Sequence, residues 1–136
     1  MANNYCQSSS MLFVPKAMLA KAREIVDTVT QSLEDGEDGY CGCLVDVEDE
    51  GVWFHTDESI NPDHVEIIAR QLIEELKLNK PFYCSWAYTC NKPRVDEFGG
   101  GAFVIKRGYV TYWVDAGAHV RHQARCGSLT PVPFIR

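Results

Sequence analysis

Apolar residues early in the chain recur at three- and four-residue spacing. Met18, Leu19, Ala22, Ile25, Val26, Val29 and Leu33 form one helical stripe that Pro15 opens. The run Glu34-Asp35-Gly36-Glu37-Asp38-Gly39 closes it, with glycine where a helix commonly stops. Tyr40 to Val47 and Val52 to Thr56 are β-like, and the acidic connection Glu48-Asp49-Glu50-Gly51 predicts a hairpin between them. A second helix has a complete start signal: Asn61 to cap, Pro62 at the first helical position and Asp63 at the positive end of the dipole. Val65, Ile68, Ala69, Leu72, Ile73 and Leu76 supply its buried stripe.

Phe82 to Cys90 carries no charge, which predicts a strand covered on both faces. Phe82, Cys84, Trp86, Tyr88 and Cys90 share one side. The segment Asn91 to Gly100 is a loop, and Gly99-Gly100-Gly101 predicts a turn or bulge. Strands at Gly101 to Lys106 and Tyr109 to Val114 follow, joined at Arg107-Gly108. Asp115 can cap a short helix from Ala116 to Cys126, which Gly127 ends. The order α-β-β-α-β-β-β-α predicts an α+β fold: a largely antiparallel five-stranded sheet, two main helices and a short C-terminal helix.

At 136 residues the chain reads as a single domain, with residues 1–14 as a flexible leader and residues 127–136 as an irregular tail. A hydrophobic content of 46% argues against disorder. No apolar run is long enough to span a bilayer, and the N-terminus lacks the basic and apolar regions of a secretory signal. The expected location is therefore the cytoplasm, without a membrane association. In that reducing compartment the six cysteines are expected to be thiols, mostly small core residues.

Charge changes the picture most. Between Glu24 and Ala69 lie fourteen acidic residues and no Lys or Arg, whereas from Lys77 onward nine basic residues face three acids. A one-signed surface steers oppositely charged partners toward it. Glu34, Asp35, Glu37, Asp38, Asp46, Glu48, Asp49, Glu50, Asp57 and Glu58 are thus the candidate partner-binding residues. A solvated face that keeps the protein soluble is the plainer account of the same pattern. If the acidic and basic segments occupy different faces, two copies are also complementary to each other, and a homodimer competes with a monomer.

Other constellations are weaker. Asp46-x-Glu48-x-Glu50-Gly51, with Asp57 following, has the spacing of a calcium loop, but its flanks are β-like where that loop needs helices. His119, His122 and Cys126 share one helical face and could hold zinc with a fourth ligand, yet no Cys-x-x-Cys knuckle accompanies them. Cys41-x-Cys43 has strand spacing and places two thiols on one sheet face. Cys84, Cys90, His55 and His119 supply the residue types of a Cys-His enzyme without a local signature. No cofactor, metal or catalytic residue is assigned.

The stretch Cys84 to Ala102 contains Thr89-Cys90-Asn91-Lys92-Pro93-Arg94 and Glu97-Phe98-Gly99-Gly100-Gly101-Ala102. It resembles a motif of small, uncharacterised proteins encoded by phages and mobile elements. That resemblance implies a setting rather than an activity. With the acidic segment, it points to a non-enzymatic, anti-CRISPR-type inhibitor. Its acidic face would occupy a basic, nucleic-acid-binding surface of a host nuclease or CRISPR complex. The alternatives are a nucleic-acid-binding accessory protein using Lys92, Arg94, Lys106, Arg107, Arg121 and Arg125, or the Cys-His enzyme. Direct nucleic-acid binding is disfavoured, because the acidic half would repel the same polymer.

Overall fold

Helix Pro62–Leu76 (α2) organises the interior, since Val65, Ile68, Ala69 and Leu72 recur at helical spacing and are wholly buried. The Asn61 side chain accepts a hydrogen bond from the Asp63 amide at 3.0 Å, the capping contact that its position predicts. Lys77 ends the helix in a left-handed conformation, φ 53°. Packed beside it is helix Leu19–Asp35 (α1), which buries Ala22, Ile25 and Val26. A 3-10 turn at Lys16–Met18 precedes α1. The computed structural model describes residues 4–56, 58–90, 99–126 and 129–133.

Seven strands form two antiparallel sheets rather than one sheet of five. They are β1 (Asn4–Gln7), β2 (Ser9–Phe13), β3 (Leu44–Glu48), β4 (Gly51–His55), β5 (Phe82–Cys90), β6 (Gly99–Ile105) and β7 (Tyr112–Asp115). The four-stranded sheet has the order β1-β5-β6-β7 and the three-stranded sheet the order β2-β4-β3. The α+β class, the β3–β4 hairpin and the β5 boundaries are as the pattern predicts. Helix Ala116–Arg125 (α3) follows β7 directly, and the Asp115 carboxylate accepts from the Ala118 amide at 2.8 Å.

The expected flexible leader is instead a shared strand segment. Asn4–Gln7 pairs with β5 in one sheet and Ser9–Phe13 with β4 in the other, so a single stretch of chain stitches the sheets together. Cys6, Leu12 and Val14 are buried at alternate positions of that stretch. Serines at positions 8 and 10 occupy the intervening inward sites, and they conceal the alternation in the sequence. The Ser8 hydroxyl donates to the Ser85 carbonyl at 2.6 Å, satisfying a polar group where an apolar one would be expected. The described part of the tail, residues 129–133, has no regular structure.

Phe54 of β4 and Phe82 of β5 meet across the two sheets with ring centroids 5.6 Å apart, and Phe82 meets Phe103 of β6 at 6.1 Å. These rings and the stripes of α1 and α2 make one continuous core. The outer face of β5 is open, contrary to the expectation of two covered faces: Tyr83, Ser85 and Ala87 are exposed. On its inner face Cys84 is buried, Trp86 half-buried and Tyr88 exposed. An uncharged run therefore marks a strand here without marking burial on both sides.

The triple glycine is also not a turn. Gly99, Gly100 and Gly101 pair with Tyr88, Ala87 and Trp86 inside the sheet. A Cβ on Gly101 would lie 2.6 Å from the Val114 carbonyl oxygen and 2.7 Å from the Trp86 ring, so close approach of neighbouring strands explains the glycine. Residues 91–98, read as a loop from the sequence and including Arg94, lie outside the described residues. So does Gly127. Among the described residues no helix is long and apolar enough to cross a membrane.

The stitched segment gives a direct expectation. Leu12→Ala should lower stability by about 2–5 kcal/mol, read by urea unfolding, because Leu12 lies in the core; a flexible leader would leave the midpoint unchanged.

Candidate functional site

The candidate partner-binding acids that are described lie along one stretch of surface elements. Glu34 and Asp35 end α1, Glu37 and Asp38 follow it, and Asp46 and Glu48 sit on β3. Asp49 and Glu50 form the β3–β4 turn, and Glu58 follows β4. All nine are exposed. Asp57 lies outside the described residues. β3 is an edge strand, and Leu44, Asp46 and Glu48 alternate outward along it while Val45 and Val47 turn toward α1. Among the described residues none of these nine carboxylates is bridged to Lys or Arg.

Two of them meet histidines instead. Asp46 contacts His55 Nε2 at 2.6 Å across the β3–β4 pair, and the His55 ring stacks on Trp53 with centroids 3.6 Å apart. Trp53 in turn donates its indole N–H to the Ser9 hydroxyl at 2.9 Å. Asp38 contacts Nε2 of His64 at 3.2 Å, and His64, on the first turn of α2, is 2% exposed.

His64 leads to a centre that the sequence pattern does not single out. Its Nδ1 accepts the Gly42 amide N–H at 2.8 Å, so the ring carries its proton on Nε2 and donates it to Asp38. The Gly42 carbonyl accepts from the Asn61 amide at 2.7 Å. The Gly42 peptide is thus held on both sides by the start of α2. A Cβ at this position would collide with Asn61 Cβ and come within 3.0 Å of His64 Nδ1, which leaves room for glycine alone.

That pinned peptide presents Cys41 and Cys43 side by side. Their sulfurs are 3.8 Å apart and both line an open cleft of about 450 Å³ with Tyr40, Leu44, Thr56, Glu58 and Ser59. The two residues precede β3 rather than belonging to it, so the expected arrangement of two thiols on one sheet face does not hold. The hydrogen bond between the Cys41 and Cys43 sulfurs is the chief cause that lowers Cys41 to about 6, against the opposing effects of burial and of nearby Glu34. Cys43 is raised by the same contact, and burial adds to the rise.

Among the described side chains, which do not include that of Cys90, the Cys-His pairing expected of an enzyme is not assembled. Cys84 is buried in the sheet beside the Ser8 hydroxyl, and burial pushes its thiol up; the same holds for Cys6. His55 lies on the outer face of the other sheet and His119 on exposed α3. Among the described residues no three His, Cys, Asp or Glu side chains are gathered as a metal site, His119, His122 and Cys126 included. The calcium-loop spacing falls on a β-hairpin, without its flanking helices. Of the basic alternative, Arg107 donates to Asn79 at 2.7 Å and the Lys106 ammonium lies 5.1 Å from the Tyr109 ring centroid. Arg121 and Arg125 lie on α3, while Lys92 and Arg94 are outside the described residues.

No family model, characterised protein or solved structure matches this chain. The chemistry of the site itself is what remains to distinguish one function from another.

Cys41 should be alkylated by iodoacetamide with a rate that rises through about pH 6, because it is thiolate above that point and thiol below it. Peptide mapping over a pH series checks this. A rate that rises only near the ordinary thiol value of 9.0 would mean that the Cys43 contact does not lower Cys41.

Proposed function

We propose that the protein is a binding protein whose acidic strip occupies a basic, phosphate-binding groove of a protein partner. The observation that carries this reading is the nine exposed carboxylates without a Lys or Arg bridge among the described residues. Carboxylates that are paired within their own fold are partly neutralised, whereas these keep their field available. Their placement also suits a linear groove. The acids follow the end of α1, pass the Cys41–Cys43 cleft and continue along edge strand β3 to the hairpin turn.

The first partner class to test is a host nuclease complex, as the mobile-element resemblance of residues 84–102 implies. The interaction is an electrostatic mimicry that needs no reaction at the acidic strip. Direct nucleic-acid binding has less support, because the strip opposes a polyanion and the described residues of the basic alternative, Lys106, Arg107, Arg121 and Arg125, are divided between the β6–β7 connection and α3.

Tagged protein should capture a basic-groove protein from host lysate at low salt, and both DNA competitor and added salt should release it. The charge-reversal variant Glu48→Lys/Asp49→Lys/Glu50→Lys should lose the same protein. Capture that survives charge reversal, or that DNA does not displace, would contradict the reading.

A further inference from the structure

Cys41 and Cys43 combine features that a buried structural cysteine lacks. Their sulfurs are in van der Waals contact at 3.8 Å, about 1.8 Å beyond disulfide bonding distance. The residue between them is a glycine whose peptide is fixed by His64 Nδ1 on one side and the Asn61 amide on the other. Both thiols line an open cleft, whereas Cys6 and Cys84 are buried. The arrangement is a dithiol held ready on a rigid turn and open to an approaching molecule.

We propose that Cys41 and Cys43 form a redox-active dithiol that exchanges with disulfides in basic polypeptide segments, Cys41 attacking and Cys43 resolving. The Cys41 thiolate attacks one sulfur of R–S–S–R′. The S–S bond breaks, a Cys41–S–S–R mixed disulfide forms, and R′S⁻ leaves and takes a proton from solvent. Cys43 then gives up its own proton to solvent and attacks Cys41 Sγ. The Cys41–S–S–Cys43 bond forms, and RS⁻ leaves and is protonated. Two electrons pass from the protein dithiol to the substrate disulfide, which ends as two thiols.

The hydrogen bond between the two sulfurs supports this division of roles, since it lowers the Cys41 thiol and raises that of Cys43. The cleft wall selects the substrate. Glu58 lines it, Glu34 is close enough to act on Cys41, and Asp38 stands behind it on His64, while no Lys or Arg is among its described lining residues. An extended segment with Lys or Arg beside its disulfide matches both the shape and the charge. The electron transfer is independent of the groove-binding reading; only the preference for a basic flank shares the acidic strip with it.

The test uses the full chain, reduced and freed of reductant, near neutral pH. The probes are two synthetic disulfide peptides of equal length, one flanked by lysines and one by glutamates. The wild type should release two peptide thiols per protein and yield a Cys41–Cys43 disulfide on peptide mapping. The lysine peptide should react about tenfold faster or more at low salt. Cys43→Ser should stop at a mixed disulfide on Cys41, and Cys41→Ser should release no thiols through this pair. A wild type that halts at the mixed disulfide, or that oxidises Cys126 while Cys41 and Cys43 stay reduced, would overturn the dithiol. Equal or faster reaction of the glutamate peptide would overturn the substrate class.

Discussion

The Gly42 peptide is gripped from both sides by the first turn of α2, and the functional end of the molecule depends on that grip. His64 takes the amide proton and the Asn61 amide supplies one to the carbonyl. The two contacts fix the backbone between Cys41 and Cys43, set the tautomer of a buried histidine and bring Asp38 back to the same point. They also determine where β3 starts, and hence how Asp46 and Glu48 are presented along the sheet edge. Each bond is a short-range contact between a loop and a capped helix end. Together they convert a glycine-rich acidic connection into a defined surface.

Much of the fold is legible in the sequence because its signals are local. The α2 boundaries follow from Asn61, Pro62 and a stripe at helical spacing, and Asp115 announces α3 in the same way. The missing parts are those that non-local pairing decides. The inward sites at Ser8 and Ser10 hide the strands of residues 4–13, whose partners lie near positions 51–55 and 87–90. The same distance effect splits the expected single sheet into two. For Gly101 the governing contact is again remote, a Trp86 ring and a Val114 carbonyl rather than a turn.

The candidate site shows the same division. Exposure of the acids is readable from their density and from the hairpin signal at Glu50-Gly51. The Cys41–Cys43 centre is not readable from its spacing, because its geometry comes from residues about twenty positions later. One clue was present: His64 is four residues before Ile68 and eight before Leu72, on the core-facing stripe of α2. A histidine there must find buried partners, and Gly42 and Asp38 are those partners. The acidic strip and the dithiol are consequently neighbours, so one surface can both attract a basic partner and meet it with a thiolate.

The most direct measurement of the grip on Gly42 is the protonation pattern of the His64 ring. Long-range proton–nitrogen NMR at mildly alkaline pH distinguishes the two neutral tautomers. The account requires Nδ1 to be unprotonated, as acceptor of the Gly42 N–H, and Nε2 to carry the proton toward Asp38. A proton on Nδ1 would contradict it, because the Gly42 peptide, and with it the placement of Cys41 and Cys43, would then have lost its anchor.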